Sequence, residues 1–226
     1  MSRSYLRPLI INLKNYPEIS GEGSINLAKE AAFVHEASNV EIILAPPLPI
    51  LHAVAGSTGL PIISQHVDDI QMGASTGFIV PEIVKSSGAV GSLINHSEHK
   101  IDFQNIKNLV ERLSSLDMVS IVCAADVEEV TKISSLRPDF IAIEPPELIG
   151  SGIAVSRANP SIIVDSVRAA HTGSPSTRVL CGAGIVDKDD VKKALDLGAS
   201  GILVASGVVK SPSWKKKIEE LSSAFL

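Results

Sequence analysis

Eight short apolar runs, each followed by a loop and an amphipathic stretch, set the strongest limit on how this chain folds. The runs are Pro8–Leu13, Val40–Ala45, Leu60–Ser64, Ala89–Asn95, Met118–Ala124, Asp139–Ile143, Arg178–Cys181 and Ala199–Val204. They are rich in Ile and Val and nearly continuous in apolar character, as strands buried on both faces should be. Helical patterns lie between them, at Ser24–Ala37, Leu48–Ala55, Pro81–Ser87, Asp102–Ser114, Val127–Ser134, Pro160–Ala170, Asp187–Leu197 and Pro212–Phe225. Such alternation calls for parallel strands joined by right-handed crossovers. Eight units predict a closed (β/α)8 barrel rather than an open doubly wound sheet. Residues 1–226 then form a single domain of roughly 28 residues per unit, lean beside the ~250-residue norm.

Punctuation supports the helices. Asn159-Pro160 and Ser211-Pro212 each read as an N-cap followed by proline at the first helical position. Gly56 and Gly198 stand where helices should stop. Charge and cysteine narrow the function classes. With 20 Lys+Arg against 25 Asp+Glu, the formal net charge is −5. That leaves no basic footprint for nucleic acid, and an anionic ligand must be held by local groups. Two cysteines, Cys123 and Cys181, make no disulfide framework, and no Cys/His cluster has metal-ligand spacing. Neither metal nor organic cofactor is expected. The apolar stretch Ile42–Gly56 is broken by Pro46, Pro47 and Pro49, so it predicts no membrane span. The residues before Lys14 are too short an apolar run for a signal sequence. A soluble, untargeted, cytoplasmic protein is the expectation.

In such a barrel the chemistry sits at the C-terminal ends of the strands, so polar residues there carry the argument. The first run ends in Asn12-Leu13-Lys14, and strand alternation puts Asn12 and Lys14 on one face. They could equally be a strand running out into solvent. The fourth ends in Asn95-His96-Ser97-Glu98, where a lone histidine could be a satisfied structural one. The sixth ends in Glu144-Pro145-Pro146, a carboxylate placed directly after an apolar strand and fixed by two prolines. Glu147-Leu148-Ile149-Gly150-Ser151-Gly152 follows, and rigid prolines before flexible glycines describe a lid, the alternative being an ordinary connection. The seventh and eighth runs end in Gly182-Ala183-Gly184 and Ala205-Ser206-Gly207. Small residues there leave backbone N–H groups open to a phosphate.

These segments together resemble the triosephosphate isomerase family, in particular its shorter archaeal form. The resemblance rests on Asn12-Leu13-Lys14, Gly73-Ala74-Ser75-Thr76-Gly77, Asn95-His96-Ser97-Glu98, Cys123, Glu144 through Gly150, and Cys181 through Ile185. It covers nearly the whole chain. It implies interconversion of dihydroxyacetone phosphate and glyceraldehyde 3-phosphate, a step of glycolysis and gluconeogenesis. It implies Glu144 as the base, His96 as the electrophile and proton shuttle, Lys14 as a fixed cation and Asn12 as a substrate-orienting residue. Ile149, Gly150, Gly184, Ala205 and Ser206 would hold the phosphate. Glu98 would pair with Lys14, or serve as a helix-start cap. Thr76, on a loop expected to project into a neighbouring subunit, would reach that subunit's Asn12, which implies a homo-oligomer, dimer or tetramer. Cys123 is expected to be a packed thiol. Two departures stand out: Phe78 follows Gly77 where many relatives are polar, and Ala205-Ser206 replaces the paired glycines of the larger enzymes. A phosphosugar lyase using Lys14 as a Schiff base, and a barrel that binds phosphate without turnover, are the competing readings.

Overall fold

The computed structural model describes residues 5–145 and 155–226. Eight strands form at the eight apolar runs: β1 (Leu9–Asn12), β2 (Ile42–Ala45), β3 (Ile63–Ser64), β4 (Gly91–Ile94), β5 (Val119–Ala124), β6 (Phe140–Ile143), β7 (Arg178–Cys181) and β8 (Gly201–Val204). All pair in parallel, in the order β2-β1-β8-β7-β6-β5-β4-β3. A further parallel bridge, Leu44 to Ile62, joins the two ends of that series and closes the barrel.

Alternation along each strand divides the apolar side chains into two sets. Ile10, Ile43, Ile63, Leu93, Ile121, Phe140, Leu180 and Leu203 point inward and fill the barrel. Their neighbours, among them Leu9, Ile11, Leu44, Ile94, Val122, Ile141, Val179 and Ile202, point outward and pack beneath the helices. Both faces are therefore dry, which explains why the runs show no polar alternation.

The helices are α1 (Glu22–Ser38), α2 (Leu51–Ser57), α3 (Pro81–Ser86), α4 (Phe103–Ser115), α5 (Val127–Ser134), α6 (Val155–Ala158), α7 (Pro160–Gly173), α8 (Lys188–Asp196), α9 (Ser206–Val209) and α10 (Trp214–Ser222). Asn159-Pro160 opens α7 as expected, and Gly198, at φ +99°, follows the end of α8. Asn39 ends α1 in the left-handed conformation, its N–H donating to His35 O at 2.8 Å.

Two boundary signals are overturned. Gly56 lies inside α2, which runs on to Ser57 and stops at extended Thr58. Ser211-Pro212 does not open α10: Ser211 and Ser213 bond to each other through the Ser211 hydroxyl (3.1 and 3.3 Å), making a turn that delays the helix to Trp214. Two short helices, α6 and α9, lack the apolar periodicity that would have announced them. Every connection that follows a strand's C-terminal end opens at one mouth of the barrel, and there the polar strand-end residues meet.

Candidate active site

A cavity of about 480 Å³ occupies that mouth. Asn12, Lys14, His96, Glu98 and Glu144 line one part of it, and the turns from Gly182 to Val186 and from Ala205 to Gly207 line another. Ile149 and Gly150, together with the rest of the expected lid from Pro146 onward to Ala154, lie outside the described residues. Thr76 sits exposed on the connection after β3 and does not line this cavity.

Asn12 is the last residue of β1 and faces inward, like Ile10 two positions before it. Its Oδ1 accepts the backbone N–H of Lys14 at 3.0 Å. This turn carries Lys14 at φ 48°, a left-handed backbone that a side chain with a Cβ seldom adopts. The carbonyl of Lys14 accepts from Gln65 Nε2 at 3.1 Å, and the same amide donates to Ala45 O at 3.0 Å. Nothing in the local pattern around Gln65 signals this clamp, because its two acceptors are 51 and 20 residues away. The Lys14 ammonium meets Glu98 Oε1 at 2.8 Å, so the expected pairing forms.

His96 reaches the cavity through a second left-handed residue. Leu93 points into the barrel and Ile94 points out, so simple alternation would send Asn95 inward and His96 outward. Asn95 stands at φ 59° and breaks the alternation. Its side chain is buried and holds the turn, donating to Cys123 O at 3.0 Å and accepting from Ile101 N–H at 3.2 Å. Helix α4 begins only at Phe103, so Ser97-Glu98 does not start it; those residues form a turn instead. The turn does act on the imidazole: the Glu98 N–H donates to His96 Nδ1 at 3.2 Å. That bond needs Nδ1 unprotonated and leaves the proton on Nε2. Burial, with Lys14 nearby, lowers the His96 pKa to about 4, so the ring is neutral at pH 7.

Glu144 follows β6, its N–H extending the ladder to Ala124 O at 2.8 Å. It is 4% exposed, and Oε1 lies 3.5 Å from His96 Nε2. Oε2 is buried without a well-formed hydrogen bond to any described residue. Burial raises the Glu144 pKa to about 7, with the adjoining Cys123 thiol and the Lys14 charge holding it from going higher. The Cys123 thiol itself is buried and raised well above its ordinary range by burial and by Glu144, so it is a packed neutral group. Gly182 gives the carboxylate its room: a Cβ there would stand 2.6 Å from Glu144 Cγ.

On the opposite side, Ala205-Ser206 leads into α9, whose first N–H groups have no intrahelical acceptor. The loop after β7 is held by the capping box of Asp187 and Asp190 at the start of α8, and Arg157 of α6 donates to both Asp187 oxygens at 2.8 and 2.9 Å. Among the described residues no group of three or more His, Cys, Asp and Glu is arranged to hold a metal. Gln65, Tyr16 and Lys210 also belong to this mouth or its support, and no local pattern in the sequence marks them. The last two line the cavity but belong to no recognisable motif.

A family profile described as triosephosphate isomerase matches residues 8–221. The chain belongs to the triosephosphate isomerase family. It is 47% identical over 216 residues to the triosephosphate isomerase of Methanothermus fervidus, covering 95% of this chain and 97% of that protein. It is 50% identical over 217 residues to that of Cenarchaeum symbiosum, with 96% and 97% covered. It is 43% identical over 215 residues to that of Methanobacterium bryantii, with 95% of each covered. The enzyme is an isomerase that interconverts dihydroxyacetone phosphate and glyceraldehyde 3-phosphate on a barrel of eight parallel strands.

Two outcomes test this isomerase's geometry. Gly182→Ala should displace Glu144 and lower kcat by about 10²-fold, the scale of a 1 Å misplacement, with circular dichroism unchanged. Full activity in that variant would show that Glu144 does not depend on the space. The second concerns stability. Folding raises the Glu144 pKa from 4.5 to about 7, so the folded state holds its proton more tightly than the unfolded one. Stability from this group is therefore complete below about pH 4.5 and is lost as pH rises to about 7. Urea titrations should find Glu144→Gln more stable than the parent at pH 8, with the gain shrinking toward pH 5.

Proposed function

We propose that the isomerisation runs on Glu144, His96 and Lys14, with Asn12 orienting the substrate. The observation that carries this reading is the facing pair at the mouth: a dry carboxylate 3.5 Å from a neutral imidazole, beside the half-buried Lys14 ammonium. Ionised Glu144 takes a proton from the carbon next to the carbonyl. As charge moves onto the carbonyl oxygen, His96 Nε2–H hydrogen-bonds to it, and the Lys14 ammonium stabilises the enediolate. His96 then moves a proton between the two oxygens, and the protonated Glu144 returns its proton to the neighbouring carbon. No proton is gained or lost over the cycle, and no metal or organic cofactor takes part. A dry Glu144 is a stronger base than a hydrated one, and a neutral histidine donates its hydrogen bond without adding charge beside Lys14.

The same proposal gives Ile149 and Gly150, Gly184, Ala205 and Ser206 to the phosphate. The open N–H groups at the start of α9 support the last two. Glu98 supports the site by pairing with Lys14 and by fixing the His96 tautomer. Residues 1–226 act as one catalytic domain, in the cytoplasm, on a small triose phosphate and without nucleic acid.

We propose a homo-oligomer, dimer or tetramer, with Thr76 reaching the partner's site. The connection Asp68–Ile79 is built as a fixed arm. Asp68 N–H donates to Ile79 O at 2.8 Å, and Ile79 N–H donates back to Asp68 Oδ2 at 2.7 Å, closing its base. From α4, Asn108 donates to Asp69 and Arg112 to Ile70 O, at 2.7 and 2.6 Å. Beyond this base Met72 and Phe78 stand exposed, 62% and 55%, apolar surface that a second copy would cover.

A coupled assay with glyceraldehyde 3-phosphate tests the mechanism. Glu144→Ala should lose about 10²- to 10⁴-fold in kcat, the range of positioned acid–base catalysis, and chelators should have no effect. In the parent enzyme kcat/KM should fall as pH drops below about 7, where Glu144 gains its proton. Retained turnover in Glu144→Ala would remove this mechanism. Light scattering should return a mass of two or four chains, which Met72→Glu with Phe78→Glu should reduce to one. A monomeric parent would remove the oligomer.

A further inference from the structure

The charges lining the cavity oppose the substrate they must receive. Near neutral pH a triose phosphate carries a dianion, while the chain has 20 basic and 25 acidic residues. Its overall field therefore repels the ligand. Within the cavity the Lys14 ammonium is already paired with Glu98 at 2.8 Å, and ionised Glu144 adds a second carboxylate. Lys14 alone thus leaves two carboxylates against one cation before the dianion arrives.

Among the described residues one more charged side chain lines the same cavity. Lys210 follows α9 as its C-cap, and its Nζ lies 4.8 Å from the centroid of the Tyr16 ring. Tyr16, two residues beyond Lys14, also lines the cavity, so the cation–π contact sets the ammonium at the rim between the connections after β1 and β8. That rim adjoins Ala205 and Ser206, on the side where the opening N–H groups of α9 stand. Among the described residues Lys210 enters no ion pair, unlike Lys14, so its charge is not cancelled by a carboxylate. It is also exposed, which leaves its field open to salt.

We propose that Lys210 is the capture cation of this enzyme: it draws the phosphate dianion to the mouth of the cavity and balances the charge of the loaded site. It takes no part in proton transfer. This rests on the reading of the cavity as the substrate site. Lys210 therefore acts on encounter and binding, hence on kcat/KM, and little on kcat. A cation poised at a cleft raises association rates of anions, and salt removes the effect.

The test compares the parent with Lys210→Met, Lys210→Arg and Lys192→Met, the last changing net charge equally from an exposed position on the outer helix α8. At about 10 mM ionic strength Lys210→Met should lose about tenfold in kcat/KM for glyceraldehyde 3-phosphate, narrowing to about twofold at about 0.5 M. Lys210→Arg should stay within about twofold of the parent at both. Lys192→Met should show no salt-dependent loss. Inorganic phosphate, as a competitive inhibitor, should bind Lys210→Met more weakly, and phosphate-free glyceraldehyde should lose much less than the phosphorylated substrate. A loss that is independent of salt, or equal for both substrates, would reduce Lys210 to packing on Tyr16 and overturn the proposal. So would an equal effect of Lys192→Met. If Glu144→Ala abolishes turnover while Lys210→Met matches the parent throughout, the capture role alone fails. If Glu144→Ala keeps turnover, the reading of the cavity itself is lost.

Discussion

Strands β2 and β3 meet through one bridge, Leu44 to Ile62, and the barrel closes on that seam. The other seven strand pairs are ladders, but here the backbone contributes Leu44 N–H to Pro61 O at 3.1 Å, because β3 has only two residues. Gln65, directly after β3, reinforces the seam by donating across it to Ala45 O, and with the same amide it takes the carbonyl of Lys14. Asn12 takes the N–H of Lys14. Both backbone polar groups of a left-handed lysine are thus satisfied by side chains anchored on the closed sheet. Such a backbone costs about 1–3 kcal/mol and persists only where its surroundings hold it. The placement of the Lys14 ammonium is therefore a consequence of barrel closure.

How much of this was legible in the sequence follows the range over which each signal acts. The strands announced themselves through contiguous burial, since every Ile or Val in a run serves either the interior or the helix layer. Glu144 was visible because a carboxylate at the end of such a run has no packing reason to be there, and the family resemblance named His96, Lys14 and Asn12. The positions that depend on contacts between distant residues were silent. Alternation says His96 points outward, and only the left-handed turn at Asn95, held from Cys123 and Ile101, brings it to the mouth. Gln65 acts across 51 residues. Ser211-Pro212 is ambiguous in sequence because a hydroxyl preceding proline can stabilise a turn as readily as a helix start, and the Ser211–Ser213 bonds decide for the turn. Lys210 looked like any exposed lysine, and only its place over Tyr16 on the cavity rim distinguishes it.

One cause, burial, moves Glu144 and His96 in opposite directions. Removing water disfavours the charged form of each, so the acid's pKa rises to about 7 and the base's falls to about 4. The pair is left with a carboxylate basic enough to attack a carbon acid and an imidazole that is still a neutral donor. An ion pair between the two would defeat both roles, and the Glu98 N–H on His96 Nδ1 works against it by opposing a second proton on the ring. The neighbourhood is consistent with this demand. Cys123, against Glu144, stays protonated and adds no negative charge, and Gly182 adds no atom that would push the carboxylate toward water. Such an arrangement weakens the fold at the pH where the enzyme works, because ionised Glu144 is held dry and its Oε2 has no well-formed hydrogen bond to any described residue. The apolar filling of the barrel beneath it, from Ile10 around to Leu203, is what lets the fold tolerate that loss. A looser interior would admit water to the carboxylate, lower its pKa and weaken the base, so packing density and catalytic power here rest on the same side chains.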